Sequence, residues 1–164
     1  MTVLDGLSAC AGRWRGRNAL HDPDTGGPDE SPGTATVTPV LNGRFVRLDY
    51  TWGYQGKPQE GTMLIGFEQE ANRVTAQWAD TWHMSDKVMS CAGPSTDGKA
   101  LAFTGSYAAP PGPDWGWRIE VTPRPDALRI RMVNMWPEGK EELARGSELR
   151  AGGRRHFLSQ RQPG

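Results

Sequence analysis

Asp80 and His83 stand three residues apart in the run Trp78-Ala-Asp-Thr-Trp-His83, and a carboxylate beside an imidazole is raw material for general acid/base chemistry. His83 also suggests a dyad with Cys91, thiol as nucleophile and imidazole as base. In a hairpin, however, His83 sits at the tip and Cys91 about five residues down one arm, roughly 17 Å away at about 3.3 Å per residue. His83 itself reads as an exposed turn residue. His21, His83 and His156 lie on different predicted elements, which disfavours a metal cluster, and Glu138, Glu141 and Glu142 read as solvated. The chain has no Gly-x-Ser-x-Gly elbow, no Gly-Lys-Ser/Thr phosphate loop and no Cys-x-x-Cys. Cys10 and Cys91 therefore read as small buried apolar residues.

A second chemistry is binding without reaction. The chain carries seven Trp. Tyr50 and Trp52, Trp117, and Asn134 with Trp136 each continue an alternating apolar face, as does Asp80 after Val74, Ala76 and Trp78. Asn134 is the sharpest of these, because a buried amide must find partners, either in a ligand or in its neighbours.

The elements that position these residues have the period of strands. Val46, Leu48, Tyr50 and Trp52 alternate with Arg47, Asp49 and Thr51, and the same parity returns around Trp14, Trp78, Trp117 and Ile130. Asn42-Gly43, Asp97-Gly98, Pro125-Asp126 and Pro137-Glu138-Gly139 supply turns. The pattern predicts ten strands, near 12–20, 33–41, 44–53, 59–67, 72–80, 86–92, 99–107, 115–122, 127–136 and 141–150. A short helical segment is expected within 2–11. Successive antiparallel strands with short connections hide their two edges best by closing, so the expected fold is all-β, a ten-stranded antiparallel up-and-down barrel. A sandwich is the alternative.

Leu7-x4-Gly12-Arg13-Trp14-Arg15-Gly16 resembles the Gly-x-Trp opening of the calycin barrels (lipocalins, fatty-acid-binding proteins and nitrobindins). The resemblance implies that Trp14 plugs the closed end, with a basic residue of the last strand across its ring; Arg150 fits that part best and Arg145 second. Asn42-Gly43-Arg44-Phe45, Gly61-x4-Gly66-Phe67, Trp78-x-Asp80 and Glu148-x-Arg150 extend the match to the bacterial domain of unknown function 1579 family, over about residues 5 to 150. Nitrobindin-like relatives bind haem through a His in a late strand. Strands nine and ten contain no His here, so no cofactor is predicted, with haem the only one that the resemblance raises.

Counting hairpins assigns each connection to one end of the barrel. Residues 42–43, 68–72, 93–98 and 122–127 fall at the end of Trp14, whereas 21–32, 53–58, 81–85, 108–114 and 137–140 gather at the other. The longer loops make this second end the open one, and Trp52, Trp82, Trp115, Trp117 and Trp136 all fall there. An aromatic mouth with a few polar groups is the composition of a small-molecule pocket. The expected ligand is small and hydrophobic or aromatic, stacked on Trp52, Trp117 and Trp136 and oriented by Tyr50, Asp80 and Asn134. The alternatives are an enzyme using Asp80 and His83 at the mouth, a haem-binding barrel, and a barrel simply packed with Trp.

Size and charge narrow the setting. A chain of 164 residues fits one domain, here 1–150 with a frayed tail at 151–164. Nineteen basic residues against nineteen acidic ones argue against a nucleic-acid surface, which depends on a Lys/Arg excess. No apolar run approaches the roughly 18 residues of a membrane span, and the N-terminus lacks a secretion signal. The expectation is a cytoplasmic monomer or homodimer.

Overall fold

The structure, a computed structural model, describes residues 2–95 and 99–152. A helix, α1 (Val3–Ser8), precedes ten strands: β1 (Gly12–His21), β2 (Pro28–Val40), β3 (Phe45–Tyr54), β4 (Lys57–Glu68), β5 (Arg73–Asp80), β6 (Met89–Pro94), β7 (Leu101–Tyr107), β8 (Trp115–Pro123), β9 (Ala127–Met135) and β10 (Glu141–Ala151). Each strand pairs antiparallel with the next, and β1 pairs with β10, closing the barrel. Closure removes the two free edges that an open ten-stranded sheet would present.

The sequence explains most of this register. Asn42 and Gly43 both take positive φ, the conformation that Asn-Gly accepts most easily in a tight hairpin, and β2 meets β3 immediately beyond them at Val40 and Phe45. Period-two alternation then sends Val46, Leu48, Tyr50 and Trp52 inward, leaving Arg47 and Thr51 outside. Gly16 has a different reason to be glycine. A Cβ there would lie 2.0 Å from the carbonyl oxygen of Glu148, so a side chain would force β1 off β10.

Two expectations about this framework need correction. The loop expected at 21–32 shrinks to 22–27, because β2 begins at Pro28. Pro28 and Pro32 are tolerated since this stretch pairs with β1 alone, β3 joining only from Thr34, and a missing N–H on an unpaired side loses no ladder bond. Ala151 still belongs to β10, opposite Trp14; the rest of the expected tail beyond 152, including His156, lies outside the described residues, as does the Asp97-Gly98 turn.

The two ends of the barrel differ. At the first, Trp14 is buried and its Nε1 donates to the Cys10 carbonyl at 2.8 Å, while Leu4 and Leu7 of α1 complete the plug. The Cys10 thiol reaches the Arg124 carbonyl in the β8–β9 turn, 3.5 Å away. Arg150 does not cover Trp14. It is exposed and faces Asp126, 3.5 Å away, because Arg15, Arg150 and Ala127 share an outward row. Arg145 does not cover Trp14 either: it lies far along β10, opposite Leu20, and turns into the other half of the barrel.

Candidate functional site

Tyr50 on β3, Gly61 on β4 and Asp80 on β5 form one row across three strands. A Cβ on Gly61 would fall 2.2 Å from the Tyr50 hydroxyl oxygen, so only glycine lets that side chain cross β4. The hydroxyl reaches Asp80 and donates to Oδ2 at 2.7 Å, while accepting from Trp78 Nε1 at 2.8 Å. Trp52 Nε1 donates to the same Oδ2 at 3.3 Å. The other oxygen, Oδ1, accepts the backbone N–H groups of Trp82 and His83, at 2.8 and 3.0 Å. Burial pushes the Tyr50 phenol far above its ordinary value and keeps it a neutral donor. Asp80 thus ties β3 and β5 together and folds the β5–β6 turn back over the barrel mouth.

Beside this row lies a buried cation. Arg145 is 1% exposed, with its guanidinium 4.4 Å from the Tyr50 ring centre and 5.1 Å from that of Trp52. It donates to Asn18 Oδ1 at 2.9 Å, and that oxygen also accepts from Ser147. A guanidinium on aromatic faces is stabilised by about 0.5–2 kcal/mol per contact, depending on desolvation. Its inward direction follows a β-bulge between Leu143 and Arg145, which leaves Leu143 45% exposed at the lip.

The turn held by Asp80 carries His83 inward. Its ring is surrounded by Trp82, Trp117, Trp52 and Trp78, at centroid distances of 4.8, 5.0, 5.7 and 5.9 Å. Burial holds the imidazole down to about 4, Arg145 lowering it further against the pull of Asp80, so it is neutral near pH 7. Its Nε2 is buried without a partner, as is the indole Nε1 of Trp117. Next to this box is a cavity of about 280 Å³, walled by Trp78, Trp117, Met89 and Leu20. Trp78 and Trp117 stack at 5.4 Å and 9°. Tyr107 and Asn134 form one polar edge, the Tyr107 hydroxyl donating to Asn134 Oδ1 at 2.6 Å; His21 and Glu142, 3.0 Å apart, form another.

The mouth is therefore divided. Its β3–β5 side is filled by Tyr50, Trp52 and Asp80, whereas the side nearer β7–β10 is hollow and lined by Trp117 and Asn134. Trp136, expected on the inner face, does not reach the cavity. The chain has left β9 at Met135; Trp136 packs on Trp115 at 4.9 Å, with the Lys140 ammonium 4.3 Å over its ring. His83, expected to be exposed, is drawn inside by the carboxylate three residues before it. The acid/base pairing of Asp80 with His83 is absent as well, since Asp80 holds the backbone N–H of His83 and not its imidazole. Glu142 is not merely solvated but meets His21 at the cavity edge, while Glu141 holds Arg118. Cys91 is buried in apolar surroundings that push its thiol up to about 11, far from nucleophilic.

Gly61, Asn18 and Arg145 were not visible as site residues in the sequence. Gly61 has a signal in retrospect, a glycine inside an alternating strand, which marks close approach by a neighbour. Haem does not fit these residues. β9 and β10 offer no imidazole, His21 is engaged by Glu142, and His83 is clamped among four Trp beside a cavity too small for a macrocycle. Among the described residues no group of three or more His, Cys, Asp or Glu is placed to hold a metal, and no helix is long and apolar enough to cross a membrane.

No curated protein matches the chain. Among solved structures, the crystal structure of Rv2717c from M. tuberculosis superposes with a TM-score of 0.62 at 17% identity, over 92% of this chain and 98% of that one. At that identity the likeness establishes the barrel and leaves the chemistry open. The sequence match is more direct: residues 5–146, from the helix through Gly61 and Asp80 to Gly146 on the last strand, match the family described as "Protein of unknown function (DUF1579)", and the chain belongs to that family.

Proposed function

We propose that this calycin-like barrel binds a small, flat, largely apolar molecule at its Trp-rich mouth, without chemistry of its own. The observation that carries the reading is the cavity of about 280 Å³ between Trp78, Trp117 and the β5–β6 turn. An apolar cavity of about 150 Å³ accommodates benzene, so this one has room for two fused rings. Its walls supply aromatic faces for stacking, and Tyr107, Asn134, His21 and Glu142 supply the few polar groups that orient a ligand.

The test is a titration of tryptophan emission with naphthalene and quinoline, alongside native mass spectrometry of gently purified protein. Saturable quenching that disappears in Ala144→Phe, which fills the cavity from β10, supports the reading. Quenching that survives Ala144→Phe, or no saturable binding at all, removes it. A Soret band in the purified protein would replace it with haem binding.

A further inference from the structure

The four-Trp box is itself a binding site, and the chain fills it with its own heteroaromatic ring. The His83 ring packs against Trp52, Trp78, Trp82 and Trp117, so four indoles form the walls around it. Yet the fit is incomplete. Two nitrogens of these packed rings, His83 Nε2 and Trp117 Nε1, are both buried and both without partners. A buried donor left unpaired costs about 1–3 kcal/mol, so the arrangement is packed well and hydrogen-bonded badly. By contrast, the indole nitrogens of Trp14, Trp52 and Trp78 all have partners.

We infer that His83 is a placeholder for the ligand: an uncharged, planar nitrogen heterocycle enters from the adjoining cavity, displaces the imidazole, and accepts a hydrogen bond from Trp117 Nε1. This rests on the binding reading above and adds to it the ligand's chemical class and what must move.

Three features support the exchange. The cavity and the box share Trp78, Trp82, Trp117 and His83, so a ring entering the first needs only the imidazole to leave before it reaches the second. Asp80 holds the turn through the backbone N–H groups of Trp82 and His83, so the His83 side chain can rotate outward while that anchor stays intact. Charge also selects. Trp117 Nε1 is a donor only and calls for an acceptor. A cation would meet that N–H and the nearby Arg145, while an anion would be pressed against the electron-rich faces of the surrounding indoles.

The experiment compares wild type with His83→Ala, titrated with quinoline, naphthalene and N-methylquinolinium. With the imidazole gone, no displacement is needed, and quinoline should bind on the order of tenfold tighter to His83→Ala. Quinoline should exceed naphthalene by a similar factor, and Trp117→Phe, which keeps a ring and loses the N–H, should erase that preference. Should His83→Ala fold poorly, wild-type NMR gives the same answer. The four indoles impose large ring-current shifts on the His83 protons, and saturation with quinoline should return these to ordinary positions. Binding of both neutral probes with unchanged or weaker affinity in His83→Ala, or with His83 resonances unmoved, overturns the placeholder and leaves the binding reading standing. Tightest binding of N-methylquinolinium overturns the ligand class. If no probe binds either protein, the binding reading fails too.

Discussion

The two ends of the barrel bury tryptophan in opposite ways. At the closed end Trp14 has its ring in the core and its indole N–H on the Cys10 carbonyl. At the mouth Trp117 and Trp136 have buried indole nitrogens with no partner, and His83 adds a third such group. Apart from Arg131 on the outer face, every described buried side-chain nitrogen without a partner lies toward the mouth. A plug selected for stability satisfies its polar atoms, because each failure costs about 1–3 kcal/mol. Unsatisfied atoms gathered toward the mouth, two of them on the cavity-lining residues His83 and Trp117, mark the end where something else completes the structure.

The largest test of this contrast is at the closed end. Trp14→Ala removes a fully packed ring and its hydrogen bond, and should lower unfolding stability by about 3–5 kcal/mol in denaturant titration, leaving probe affinity at the mouth unchanged. A comparable loss of affinity would mean that the two ends are not independent.

Acid provides the next test, at the mouth. The unfolded chain protonates His83 near its ordinary value of 6.5, whereas the folded chain refuses that proton until about 4. The unfolded state therefore binds more protons in this window. The stability is complete above about pH 6.5 and falls as the pH drops toward 4, by about 3 kcal/mol. His83→Phe, which keeps a ring in the box, should remove that part of the slope. Trp14→Ala should leave the slope as it is, which separates the two ends a second time.

Gly61 sharpens the comparison within the mouth. Gly61→Ala places a methyl where the Tyr50 ring now lies and should cost about 1–3 kcal/mol by overpacking. Because Tyr50 then loses its reach to Asp80, the variant should also loosen the β5–β6 turn, seen as faster amide exchange at Trp82 and His83. Unaltered exchange would show that Asp80 holds the turn without help from Tyr50.

The barrel was legible in the sequence because its information is local. Parity and turn residues place Tyr50, Trp52, Trp117 and Ile130 inside, and counting hairpins places the Trp cluster at one end. What was hidden depends on contacts across strands or on a break in parity. Arg145 turns inward after a bulge that alternation cannot reveal, and Trp136 leaves the inner face because Pro137 starts a turn closed by the Trp136 N–H on the Lys140 carbonyl, 2.8 Å. His83 looked like a polar turn tip. Its burial follows from an Asp80 carboxylate that was itself expected to face a ligand.

The smallest effect falls on Asn134, which stands between these two kinds of residue. Parity places it on the inner face, and its Oδ1 accepts from Tyr107 at 2.6 Å. It also lines the cavity and is only partly buried. A core amide would lose about 1–3 kcal/mol on replacement by Leu, through the partners left behind. Here one partner is left, the Tyr107 hydroxyl, which is itself partly open to solvent and can turn to water. Asn134→Leu should therefore cost about 1 kcal/mol or less, and its main effect should be on binding. The added apolar surface should favour naphthalene over any ligand that hydrogen-bonds at this edge. If the variant instead loses as much stability as a core amide and binds every probe as the wild type does, Asn134 belongs to the packing of β8 and β9, and the polar edge of the cavity is carried by His21 and Glu142 alone.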